Sequence, residues 1–444
     1  MGATRKLAEY VSRTAYKDIS SKAIEQAKLC ILDWLGVTLG GSREDIAPIL
    51  IDFVTAIGGE KQATILGKGI KTSVLNAALV NGAMSHVLDY DDVHPASFSH
   101  PTVPLAPAVL AVAEHKKASG ADLLTAFALG FEVEARAGAA AGRSHYDIGW
   151  HATSTIGHFG AAAGAGKLLN LDADRLVNAF GIAGTQVCGV RQVFGTMCKP
   201  FHPGKAAMSG VMAAMLAERG FTSSQEILEG KYGFLDIFTK EPDESKLLAG
   251  LEEDYHLYGV GFKGYASCAG THTTIEALKE LSKLNLKADD IEEVQIECAK
   301  LNLDAAGQTD PKTGLEGKFS VYHCAALAIL KGAADEGQFT DEKVNDPEIV
   351  KLRKKVKATV NPEFNLVESK TAVKTKDGKE YTNFVSMPKG MPNNPLSFEE
   401  MVQKFKGLAT LVIPGSNADR IVELIKTLET VSDVSALVSL CNPV

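Results

Sequence analysis

Up to about residue 260, apolar residues recur at spacings of three and four, the period of a helix with one buried face. In SSKAIEQAKLCILDWLGVTLGG that face is Ile24, Ala27, Ile31 and Leu35, with Ser20 or Ser21 placed to cap the start and Gly40-Gly41 predicted to stop it. ADLLTAFALGFEVEARAGAAAGR and FGAAAGAGKLLNL keep the same period. Their glycines lower helix propensity but let helix axes approach closely. A compact helical domain is predicted.

After about residue 285 the period falls to two. IEEVQIECA and KVKATVNP alternate apolar and polar as half-buried strands do, and TAVKTKDGKEYTNFV reads as two such runs about an Asp-Gly turn. FSVYHCAALAILKGA, between them, predicts a buried helix. The charged, proline-rich MPKGMPNNPLSFEEMVQKF reads as a linker back to a helical tail. The expected fold class is mainly α: an all-helical domain built from 1–262 and 393–444, with a smaller α+β domain, 263–392, inserted.

Composition changes the picture only at a few points. The 444 residues exceed what one core supports, so two domains are expected. A formal charge of -8 gives no general attraction to nucleic acid or to an anionic membrane. An anionic substrate would therefore need a local concentration of Lys, Arg and His. The seven cysteines are scattered without a C-x-x-C pair, which suits a reducing compartment. The first residues lack the apolar core of a signal peptide, and the longest apolar stretch, from Leu29 to Leu39, contains Asp33 and is far shorter than the roughly 20 residues of a membrane span. A cytoplasmic protein is expected, with neither nucleic acid nor membrane as partner. GAAAGAGK at 160–167 has the wrong spacing for a phosphate loop and reads as a helix-packing surface.

Most of the eleven histidines fall in polar islands within apolar, helix-forming sequence. The first, SHVLDYDDVHPASFSHPTVP, holds His86, Asp89, Asp91, Asp92, His94 and His100, and its second half should be a loop. Such a set suits a metal site, an acid–base pair in which Asp orients His, or a helix end capped by its own Asp residues. In GRSHYDIGWHATSTIGHFG, His151 precedes a Thr-Ser-Thr helix start, while His158 reads as structural. GTMCKPFHPGKAAMSG should be a short loop presenting Lys199, His202 and Lys205 at a helix mouth, as an anion site requires. GVGFKGYASCAGTHTTIEAL carries Lys263 at the expected domain boundary and His272 at a helix start, and EGKFSVYHCAAL carries Lys318, Tyr322 and His323.

LVNGAMSHVLDYDDVH, the His-Pro at 100–101, WHATSTIGHFGAAA, KPFHPGKAAMSG and the FK…GTH segment resemble, in order, the successive motifs of the MmgE/PrpD family. That family includes 2-methylcitrate dehydratases, cis-aconitate decarboxylases and iminodisuccinate epimerases. The resemblance implies a large helical domain with a smaller α+β lid, a homodimer, an active site in the cleft between the domains, and no metal or other cofactor. By likeness to the decarboxylase branch, it implies Asp89, His100, His151, Lys199, Lys263 and Tyr322 as site residues. Val93 stands where that branch carries a threonine, and the loop from Asp92 to His100 is one residue longer.

The expected activity is a cofactor-independent lyase acting on a small di- or tricarboxylate at the carbon next to a carboxylate. Lys199 and Lys263 would neutralise substrate charge, His100 and His151 exchange the proton, Tyr322 donate a hydrogen bond and Asp89 orient an imidazole. Asp91, Asp92, Lys205 and His272 are further candidates for substrate binding. The same intermediate would also serve an epimerase or isomerase of a dicarboxylate such as iminodisuccinate. Two rivals remain: a metal-dependent hydratase or hydrolase using Asp91, Asp92, His94 and His100, and a carboxylate-binding protein without turnover.

Overall fold

The computed structural model describes residues 2–365 and 367–443. The chain divides into two units, one of residues 1–261 and 397–444, the other Phe262–Leu396. The inserted segment was expected at 263–392; the second unit begins one residue earlier and ends four residues later.

The first unit is a stack of helices. Ser21–Gly41, Val74–His86, Thr102–Lys116, Gly120–Ile148, Gly157–Leu168 and Cys198–Glu218 form its interior and are buried along much of their length. Gly40 and Gly41 do not stop the first of these; they are its last two residues. A Cβ on Gly41 would sit 1.9 Å from the Met84 carbonyl oxygen, so this glycine serves close packing and not termination. The returning helix Phe398–Ala409 lies on Ser21–Gly41. It is fixed there by a buried Lys404–Asp33 ion pair of 2.6 Å. One short hairpin, β1 (Ala63–Ile65) and β2 (Ile70–Thr72), interrupts what the sequence presents as helix after helix.

The crossing that matters most for the chemistry joins Val74–His86 to Cys198–Glu218. A Cβ on Gly82 would come within 2.7 Å of the Gly204 Cα, and one on Gly204 within 2.3 Å of the Leu79 carbonyl oxygen. Two absent side chains thus let the helices touch backbone to backbone. His86 lies one turn beyond Gly82, and Lys199 little more than one turn before Gly204.

The second unit carries a four-stranded sheet in the order β4–β3–β5–β6, with β3 at Ile291–Cys298, β4 at Val356–Val360, β5 at Ser369–Thr375 and β6 at Glu380–Val385. β3 pairs parallel with β4 and antiparallel with β5, so the chain between β3 and β4 must cross over. Helix Val321–Lys331 lies within that connection. The Asp-Gly turn joins β5 to β6, Gly378 taking φ 84, a left-handed value that glycine accepts without strain.

Candidate active site

Helix Val74–His86 ends on a histidine, and the chain then turns through 87–101 before the next helix. Within that loop Asp89 adopts φ 53, a conformation aspartate tolerates better than most residues. Asp89 and Asp91 serve different partners. The Asp89 carboxylate accepts from the Lys199 ammonium at 2.6 Å, both groups being largely buried. The Asp91 carboxylate lies between two imidazoles, its Oδ2 2.9 Å from His86 Nδ1 and 3.0 Å from His100 Nδ1. Asp91 is thus hydrogen-bonded to two imidazoles, the role expected of Asp89.

These contacts fix two tautomers. His100 Nδ1 also lies 2.7 Å from the Asp92 carbonyl oxygen. An ionised carboxylate and a carbonyl only accept, so His86 and His100 both donate from Nδ1. The Nε2 of His86 is buried without a hydrogen-bond partner. Burial pushes the His86 imidazole down to about 4 and outweighs the opposing pull of Asp91. For Asp91, burial alone would raise the carboxyl, but the two imidazoles overcome it and hold it well below the usual range.

His151 approaches from a second segment, just before helical turn Ala152–Thr155. Its backbone N–H donates to the Gly189 carbonyl at 3.0 Å, and the His100 N–H donates to Thr153 Oγ1 at 3.1 Å, tying the two histidine islands together. The rings of His86 and His100 are 4.8 Å apart, those of His86 and His151 5.7 Å. Phe194 packs edge-on against His151 at 4.9 Å and under Lys199 at 5.7 Å. Burial, with the charge of Lys199 among the further causes, holds the His151 imidazole well below its ordinary value.

Lys199, His202 and Lys205 do not lie on a loop. They sit inside helix Cys198–Glu218, which accommodates Pro203. Lys205 donates to Ser209 Oγ one turn along the same helix, at 2.6 Å. Asp92 faces the start of helix Thr102–Lys116, accepting from the Thr102 N–H at 3.3 Å and its Oγ1 at 2.5 Å, the capping role weighed for this island. His94 bonds Ser97 at 2.8 Å. His158 bonds the Ser154 carbonyl at 2.7 Å, as a structural histidine does.

In the second unit Lys263 is buried and Tyr322 half-buried on helix Val321–Lys331, its hydroxyl raised by burial. His272 is fully buried and donates from Nε2 to the Ser267 carbonyl at 3.1 Å.

The metal set of Asp91, Asp92, His94 and His100 does not converge, since Asp92 and His94 are committed elsewhere. A different trio, His86, Asp89 and His100, brings potential ligand atoms within 4.8 Å of one another. A cation there would have to share Asp89 with the Lys199 ammonium, whereas an anion would be drawn to that lysine. His86 was absent from the expected site. Its signal was its membership of the first polar island, five residues before Asp91, and the contact forms because the helix ends between them.

The site thus gathers three imidazoles, two carboxylates and a buried lysine. The MmgE/PrpD N-terminal domain matches residues 5–246, and the MmgE/PrpD C-terminal domain matches 265–430. A cis-aconitate decarboxylase from Aspergillus terreus is 29% identical, over 99% of this chain and 96% of its own. The Homo sapiens cis-aconitate decarboxylase is 27% identical over 95% and 91%. The mitochondrial 2-methylcitrate dehydratase of Yarrowia lipolytica is 25% identical over 81% and 72%. The chain belongs to the MmgE/PrpD family and is a lyase.

Proposed function

We propose that this lyase decarboxylates cis-aconitate or a close tricarboxylate. The observation that carries the reading is the Asp91-bridged pair of imidazoles beside Lys199, in a chain that matches a cis-aconitate decarboxylase over nearly its whole length.

Breaking the bond between the saturated carbon of cis-aconitate and its carboxylate releases carbon dioxide. The electron pair left behind is conjugated through the double bond to a remaining carboxylate. Taking up a proton next to that carboxylate shifts the double bond and gives methylenesuccinate. Lys199 would neutralise a substrate carboxylate and stabilise the developing charge, the electrostatic task that dominates such catalysis. His100 and His151 would hold and deliver the proton. His86, oriented by Asp91, shares that setting. Lys263 and Tyr322 remain candidates for substrate contact on the family resemblance.

The exposed stripe Ile49, Phe53 and Ile57 on helix Ile46–Ile57 supports a homodimer, and seven free cysteines support a cytoplasmic setting. The test of the activity is incubation with cis-aconitate in deuterated water, followed by NMR. Methylenesuccinate carrying one solvent deuterium, formed equally well with a chelator present, is expected. Failure to consume cis-aconitate would overturn the reading, and gain or loss of water on 2-methylcitrate would move it to the dehydratase branch.

A further inference from the structure

The imidazoles of the site differ in what fixes their protons. His86 and His100 give Nδ1 to groups that only accept, so neither has a choice of tautomer. The Nδ1 of His151 lies 2.9 Å from another Nδ1, that of His202. Two such nitrogens share one proton. If His202 donates, the His151 proton resides on Nε2 and that atom is an acid. If His151 donates, its Nε2 is a lone pair and a base.

We infer that His202 is the positioning residue of His151, donating from Nδ1 and so holding the His151 proton on Nε2, where it can be delivered to substrate, the imidazolate left behind taking a proton from water before the next turnover. This rests on the proposed decarboxylation, in which the site must supply a proton to carbon. His202 rides on helix Cys198–Glu218 three residues after Lys199, so one element places both the substrate cation and the imidazole partner. Gly189 leaves room for the contact: a Cβ there would come within 3.3 Å of His202 Nδ1, and the Gly189 carbonyl holds the His151 backbone. Burial and the Lys199 charge push His202 down to about 4, which keeps the pair neutral near pH 7 with a single shared proton.

The experiment compares wild type with His202→Asn, whose amide can donate from nearly the same place as Nδ1, and His202→Gln, whose amide lies one bond farther out. Two-bond 15N–1H correlation spectra of the histidine rings, assigned with a His151→Asn variant, read the His151 tautomer without turnover. His151 should carry its proton on Nε2 in wild type and His202→Asn, and lose that preference in His202→Gln. The Gln variant should also lower kcat about ten- to a hundredfold with KM little changed and shift the pH profile, while Asn recovers most of the loss. If His202→Gln does not fold, His202→Leu replaces it. A His151 tautomer unchanged in His202→Gln, or in His202→Leu where that replaces it, overturns the inference whatever happens to kcat. A wild-type protein inactive on cis-aconitate would sink the decarboxylase reading and leave the tautomer result standing.

Discussion

Both units bury histidines, and they use them differently. His323 in the second unit is fully buried with no hydrogen bond to either ring nitrogen, packed against Phe339 at 6.0 Å, and burial lowers it to about 4. His86 in the first unit is just as buried and lowered to the same degree. The depressed basicity is thus common to both and carries no function by itself. What differs is company: His86 shares a carboxylate with His100, stacks beside His151 and lies near a buried lysine, whereas His323 meets core.

The strongest way to break this contrast is Asp91→Asn. An amide can accept only through its oxygen, so one of the two imidazoles loses its acceptor and is free to take the other tautomer. We expect kcat to fall by on the order of a hundred- to ten-thousandfold with the fold retained, checked by steady-state kinetics and circular dichroism. Next, Lys199→Met should lower kcat/KM by roughly ten- to a hundredfold, and Lys205→Met by less, because Lys205 is engaged by Ser209 on its own helix. A reversal of that order, measured on cis-aconitate, would remove Lys199 from the substrate.

A smaller effect is thermodynamic. His86, His202 and His323 hold folded-state values near 4, against about 6.5 in the unfolded chain. Between those limits the unfolded state binds more protons, so stability should fall as pH drops from about 6.5 towards 4. Melting temperature against pH measures it, and a flat profile over that window contradicts the burial argument. The smallest effect belongs to His323→Leu, which should leave kcat within about twofold of wild type, since the His323 ring nitrogens make no hydrogen bond.

Much of this was legible in the chain. Alternation in IEEVQIECA and TAVKT located β3 and β5, because a half-buried strand must expose every second residue, while β6, exposed along most of its length, was found by its place after the Asp-Gly turn. The hairpin at β1 and β2 was not legible, as three residues are too few to show a period. Pro200 and Pro203 made KPFHPGK read as a loop. A proline in the first turn costs no helical hydrogen bond, and the one lost at Pro203 is tolerated within a long packed helix. The islands were visible as islands. The division of labour between Asp89 and Asp91 was not, since it depends on a left-handed turn at Asp89 and on a helix far along the chain.

The contact between Gly82 and Gly204 bears on how such an enzyme could change its diet. With no room for even one methyl group, the two helices cannot slide to make way for a bulkier acid without unstacking the interior. His86 and Lys199 therefore behave as two teeth on a single casting. A laboratory search for altered substrate range is better aimed at the segments 87–101 and 185–197, which hang from that casting and can be recut while it stays whole.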